Sequence, residues 1–321
     1  MRRQGTEQRL SSGVPPHPGR RSSNEQSQGT SPAAGAARAI GAGAQTGDAG
    51  VSNRTVVGSV QPRPRSALRA VAVPSEHGGW GLTAEPVLLG LLVAPSVSGA
   101  LLGAGALVAF LARTPLKLVL VDRWRHRRFP RTVLASRLAA GELALLALLM
   151  ATVAIRTGWG WWAPLGAAVP LVAVEMWFDM RSRSRRLVPE LCGAIGIASV
   201  ASAIARAGGA SWAVSLGLWA VLSARSVTAL PFVRAQVLRL KGRQAQTAGV
   251  AVAGAVAIAL VVGGWSAGLV PLAPVIALVA LVIWGLWSLR RPPPSVAVLG
   301  ASQVVLGLAV VLVTAIAVRP W

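Results

Sequence analysis

The stretch ALLGAGALVAFLARTPLKLVLVDRWRHRR, Ala100 to Arg128, decides the fold class. Its apolar run, 100–121, wound as a helix at about 1.5 Å per residue, is long enough to cross a hydrocarbon core of about 30 Å. It ends at an acid, Asp122, and then at a cluster of arginines. A soluble core helix of this length would alternate apolar and polar faces, and this one does not.

The same grammar repeats along the chain. From Gly81 onward it predicts nine helices, at 82–98, 100–121, 133–155, 160–178, 188–206, 212–233, 246–264, 268–289 and 295–317. The turns after the even helices read DRWRHRRFPR, DMRSRSRR, RAQVLRLKGR and RRPPP. Those after the odd ones read SG, RTGWG, ARAGGAS and GWSAG. Basic and nearly neutral turns alternate, which is how positive-inside topology is written. The expected architecture is an all-α polytopic bundle, residues 71–321, with the amino terminus in the cytoplasm and the carboxyl terminus outside. Pro86 and Pro95 leave a second option for the first segment, a broken or re-entrant helix.

Composition agrees. Of 321 residues, 53% are hydrophobic and only 13% charged, against roughly 25% charged in a soluble domain. The net charge of +22 would suggest nucleic acid in a soluble protein. Here the basic residues gather in short loops between apolar blocks, so nucleic acid is not an expected partner and the bilayer is. Residues 1–70 are rich in Gly, Ser, Ala, Gln, Pro and Arg and read as a disordered basic tail. The start, MRRQGTEQRLSSG, has no apolar stretch of the kind a cleaved signal peptide needs. Cys192, the one cysteine, lies inside an apolar block and reads as a packing residue. Gly99-x-x-x-Gly103 and the Ala/Gly-rich 248–257 read as close-packing positions.

The charges within the spans carry the chemical argument. All ten acidic residues lie at or before Glu190. Seven follow the tail: Glu76, Glu85, Asp122, Glu142, Glu175, Asp179 and Glu190. On the expected topology they all fall toward the cytoplasmic side. Glu175 and Asp179, at i and i+4, repel each other unless a cation lies between them or one retains a proton. Arg113 and Lys117 have the same spacing on the second helix, Arg225 lies in the lower half of the sixth, and Arg234 stands at its end. An ionised side chain inside a span costs several kcal/mol unless paired or wetted, and marks a functional cavity by default. The pattern therefore predicts a polar cavity open to the cytoplasm. Its substrate-binding candidates are Arg113, Lys117, Arg225, Arg234 and Glu175; its catalytic candidates are His77, Glu76, Glu85, Asp122 and Asp179. Snorkelling to the headgroups is the plain alternative for Arg113, Lys117 and Arg234. Structural ion pairing is the plain alternative for the carboxylates.

The turns beginning at Asp122 and Asp179 resemble each other at a spacing of 57 residues (179 minus 122), as a repeated unit would. Arginines in such turns bind phosphate or anionic lipid. A magnesium ion prefers closely spaced carboxylates shared with a diphosphate, and neither turn has a second acid downstream, so no metal site and no resident cofactor is expected, magnesium being the one candidate. No Walker loop and no His/Cys cluster for zinc, haem or iron–sulfur is present.

The segments PSEHGGWGLTAEPVLLGLLVAP (74–95), FLARTPLKLVLVDRWRHRR (110–128), DMRSRSRRLVPELCGAIG (179–196) and LWAVLSARSVTALPFVRAQV (218–237) resemble the YwiC-like family of bacterial integral membrane proteins. The resemblance implies a multi-pass protein of the bacterial cytoplasmic membrane and names no reaction. A looser similarity is to UbiA-type prenyltransferases: nine helices, with acids at the ends of the second and sixth. Asp122 fits that pattern, while the sixth helix ends at Arg234 with no aspartate and lacks Asn-x-x-x-Asp-x-x-x-Asp. The functional expectation is binding or modification of a phosphate-bearing lipid or isoprenoid. If the protein is an enzyme, it transfers a prenyl or lipid group, with His77 as general base and Gly78-Gly79 as a lid. The alternatives are a secondary transporter or flippase using Glu85, Glu142 and Arg225, and a structural or assembly factor in the membrane.

Overall fold

The structure is a computed structural model that describes residues 77–126, 129–181 and 186–318. The tail and Glu76 lie outside them. The described residues form nine helices and no strand: α1 His77–Val93, α2 Val97–Trp124, α3 Pro130–Thr157, α4 Trp162–Met180, α5 Leu187–Ala207, α6 Trp212–Leu240, α7 Thr247–Ser266, α8 Leu272–Ser288 and α9 Val296–Val318. Seven are long and apolar enough to cross a membrane; α1 and α8, at 17 residues each, are shorter. This is a multi-pass membrane architecture.

Local chemistry sets the helix limits. Ser96 caps α2, its hydroxyl accepting from the Gly99 N–H at 2.9 Å. Ser211 caps α6 through the Val214 N–H at 3.2 Å. Pro130 opens α3, where its missing N–H costs nothing. α1 runs straight through Pro86 and stops before Pro95, since a residue preceding proline disfavours the helical region. The first segment is therefore one helix, and Gly78-Gly79 lie within it. The lid expected there is corrected: Gly79 is helical, and a Cβ on it would meet the Phe110 ring at 2.7 Å.

Contacts between side chains fix the directions. Gly79 faces Phe110 and Val87 faces Gly103, so α1 and α2 are antiparallel. Gly90 meets Ile204 and Ala94 meets Gly208, so α1 and α5 are parallel. Val172 meets Gly196 and Glu175 meets Gly193, so α4 and α5 are antiparallel. The links following α2, α4, α6 and α8 thus share one end of the bundle, which carries the arginine-rich turns; the other end is nearly neutral. Exposed tryptophans band both ends: Trp80, Trp124, Trp177 and Trp287 at the basic end, and Trp159, Trp162, Trp212 and Trp265 at the neutral end. Indole rings settle at membrane–water interfaces for their mixed apolar and polar character.

The centre is α5 and α6. α5 packs on α1, α2, α4 and α6, and α6 also on α7, α8 and α9. The contact is made close by small residues: Ala198, Ala201 and Ala205 of α5 are buried against Leu89, Leu218 and Leu222. In lipid such residues let backbones approach and replace the missing hydrophobic drive with dispersion contact. α3 lies at the edge, packing on α2.

Candidate functional site

Four of the singled-out charges meet near the basic end. α2 and α4 run parallel here, which brings Arg113 and Lys117 level with Glu175 and Asp179. Arg113 Nη2 lies 2.6 Å from Glu175 Oε1 and 3.3 Å from Asp179 Oδ2. Lys117 Nζ lies 3.1 Å from Asp179 Oδ1. The cation that the two carboxylates require is Arg113. Asp179 is 1% exposed, whereas the Arg113 and Lys117 side chains are each 31% exposed. The buried acid therefore holds both cations from beneath. Glu175 lies over Gly193 of α5, where an added Cβ would come within 2.5 Å of its carboxylate.

Asp122 is also buried, but its partners differ. It accepts from Thr132 Oγ1 at 2.6 Å and faces Arg131 at 3.7 Å. Thr132 in turn accepts from the Phe129 N–H at 3.2 Å, so Asp122 ties the end of α2 to the first turn of α3. The two aspartate turns share burial and position, and diverge in what they hold. Arg234 pairs with Glu190 of α5 at 3.3 Å, both of them partly exposed; it lies six residues before the end of α6, which continues to Leu240.

Deeper in the bundle is a second group. Arg225, 3% exposed, lies about 20 Å along α6 from either of its ends. Its Nη2 donates to the Gln303 carbonyl of α9 at 2.8 Å, and its Nε has no partner. Glu85 of α1, 8% exposed, is within electrostatic range of Arg225 without a direct ion pair. Its carboxylate presses against Gly307, one turn beyond Gln303. The two charges thus bracket one turn of α9. Next along α6 is a cavity of about 20 Å³, lined mostly by apolar residues such as Phe232, Val250 and Trp284, with Thr228 and Gln303 as its polar members.

The singled-out charges thus do not meet in one place: Arg113 and Lys117 lie with Glu175 and Asp179, Glu85 lies near Arg225, and Asp122 and Arg234 have partners of their own in Arg131 and Glu190. His77 opens α1, and its side chain is not described. Glu142 sits within α3, one carboxylate oxygen buried without a hydrogen-bond partner. Four contributors were not singled out from the sequence: Thr132, Gly193, Gln303 and Gly307. Gln303 takes part through its backbone carbonyl, which no side-chain pattern marks. The α5–α6 contact also holds buried hydroxyls, Ser199, Ser202, Ser215 and Ser223, toward the neutral end, where almost no polar groups were expected.

A polytopic helical bundle with paired charges at one end and a buried Glu–Arg couple within defines an integral membrane protein of the multi-pass class. Residues 73–205 match the family described as YwiC-like protein. That match spans α1 to nearly the end of α5, and so covers Glu85 and the Arg113 group while leaving Arg225 and Gln303 beyond it. No curated protein and no solved structure matches the chain.

Proposed function

We propose that the protein resides in the bacterial cytoplasmic membrane, basic end inward, and binds a phosphate-bearing lipid or isoprenoid there. The observation that supports this is Asp179, buried beneath Arg113 and Lys117 while both cations stay about one-third exposed. A buried carboxylate fixes a guanidinium and an ammonium so that their outer faces are preorganised for a second anion. Glu175, the more exposed of the two acids, is the partner that a phosphate would displace from Arg113.

The test is native mass spectrometry of protein purified without delipidation, wild type against the Arg113→Gln, Lys117→Gln double variant. The expected result is a phosphate-bearing lipid enriched on the wild type and lost from the variant. Equal retention, or no enrichment, overturns the reading.

A second reading, secondary transport, draws support from the depth of Glu85 and Arg225 and from the buried serines that continue toward the neutral end. It predicts that proteoliposomes loaded with a pH-sensitive dye acidify under an imposed potential with wild type and not with Glu85→Gln. Equal rates would rule it out.

A further inference from the structure

Between its end turns α6 is enclosed along most of its surface, and of the positions from 216 to 234 that stay open, all but Val233 fall on one line: Leu216, Trp219, Ala220, Val227, Leu230 and Arg234. From Leu216 to Arg234 is 18 residues (234 minus 216), five turns at 3.6 residues per turn, so the two share an angular position. The upper part of this line is the floor of a groove of about 300 Å³ between α5 and α7, walled by Ile195 and Leu260. Trp219 donates its indole N–H to the Ile195 carbonyl at 2.8 Å. That bond fixes the ring as part of the wall and uses up its one polar group. The groove surface is accordingly apolar.

Charge enters at the basic end of the line. Arg234, its side chain 40% exposed, is steadied by Glu190. Lys241, seven residues further, is exposed on the same line. From Ala220 to Arg234 the rise is about 21 Å. Half of a bilayer, headgroup region included, measures about 20–22 Å. The groove itself ends at Val227; below it the partly open Leu230 continues the line to Arg234, so an apolar path one leaflet long ends in cations where that leaflet's phosphates lie, the dimensions and polarity of a single lipid.

We propose that this line is a specific site for one anionic phospholipid of the leaflet at the basic end. Its acyl chain lies over Ala220 and Val227, and its phosphate meets Arg234. The site is separate from the Arg113 group: on α5, Gly193 faces Glu175, whereas Ile195, two residues on, faces the groove. It goes beyond the function proposed above and stands or falls independently of it.

Full-length protein is exchanged into vesicles of mixed phosphatidylglycerol and phosphatidylcholine with matched acyl chains, then released, and the retained lipids are counted by native mass spectrometry. Wild type retains a phosphatidylglycerol that Ala220→Trp, with the groove filled, has lost. Arg234→Gln keeps a lipid but loses the preference for phosphatidylglycerol, by about tenfold, the worth of one hydrogen bond to a charged group. The Arg113→Gln, Lys117→Gln variant retains this lipid, which separates the two sites. Leu260→Phe fills the groove from the opposite wall and replaces Ala220→Trp if that variant melts at a lower temperature than wild type. Equal counts in wild type and the groove-filled variant overturn the proposal, as does equal retention of phosphatidylcholine. So does an isoprenoid phosphate, rather than a phospholipid, on the Arg113→Gln, Lys117→Gln variant taken directly from cells.

Discussion

Glu85 occupies the space that a side chain at position 307 would fill: its carboxylate lies where the Cβ of any residue larger than glycine must go. Gly307 is therefore required by a partner more than two hundred residues away in sequence. Gly307→Ala should cost about 1–3 kcal/mol, the usual range for overpacking a buried site, because Glu85 is nearly enclosed and has nowhere to move. Thermal melting in detergent reads this directly. In a Glu85→Ala background, which carries its own cost, Gly307→Ala should cost far less than in wild type, and purely additive losses would count against the contact.

Arg225 and Glu85 are compensating charges in a low-dielectric interior, so removing one should be worse than removing both. Arg225→Leu is expected to cost about 3–5 kcal/mol, the range for a buried charge left without its partner. Arg225→Leu with Glu85→Leu should melt closer to wild type than Arg225→Leu alone. A double variant that is less stable than either single would show that the two groups do not compensate.

Two hydroxyls offer a contrast in bookkeeping of hydrogen bonds. Ser215 Oγ is buried with no partner, whereas Thr132 Oγ1 donates to Asp122 at 2.6 Å. Ser215→Ala should leave stability unchanged or slightly raised, since nothing is broken. Thr132→Val should cost about 1.5–3 kcal/mol, because a buried carboxylate loses a charge-assisted bond. The order of the two melting temperatures is the measurement.

Orientation can be read with single cysteines on a Cys192→Ala background. Lys241→Cys, in the α6–α7 link, should react with a membrane-impermeant maleimide in intact cells only after permeabilisation. Gly209→Cys, in the α5–α6 link, should react without it. The reverse pattern would invert the topology proposed for the basic end.

The spans were legible because hydropathy reports desolvation, and desolvation is what puts these helices in lipid. Their ends were less so. α6 was expected to stop at 233 and reaches Leu240, since the segment RAQVLRL leaves the apolar region without leaving the helix, and hydropathy cannot register a helix in water. α1 starts at His77 rather than 82: its glycines suggest a loop until Phe110 is seen to pack on Gly79 and, edge-to-face at 5.0 Å, on Trp80. The i and i+4 spacings of Arg113–Lys117 and Glu175–Asp179 announced charge clusters. That the two pairs would meet each other depended on α2 and α4 running side by side, which no local pattern states. Gly307 and Gln303 contribute an absent side chain and a backbone carbonyl, neither of which has a sequence signature. The serines of α5 and α6 pass unnoticed in alanine-rich runs because each is small enough to look apolar.

α3 is joined to the body of the bundle chiefly through α2. The bond between Asp122 and Thr132 holds the hairpin shut at one end, and Ala135 against Val119 continues the seam. A helix with most of its contacts on one neighbour can part from the bundle at small cost beyond the Val153 cluster, so the α2–α3 seam is where this protein would first yield to heat or to a pulling force. During synthesis it makes α3 an independent passenger: it can enter the bilayer and wait there while α5 and α6 assemble the centre.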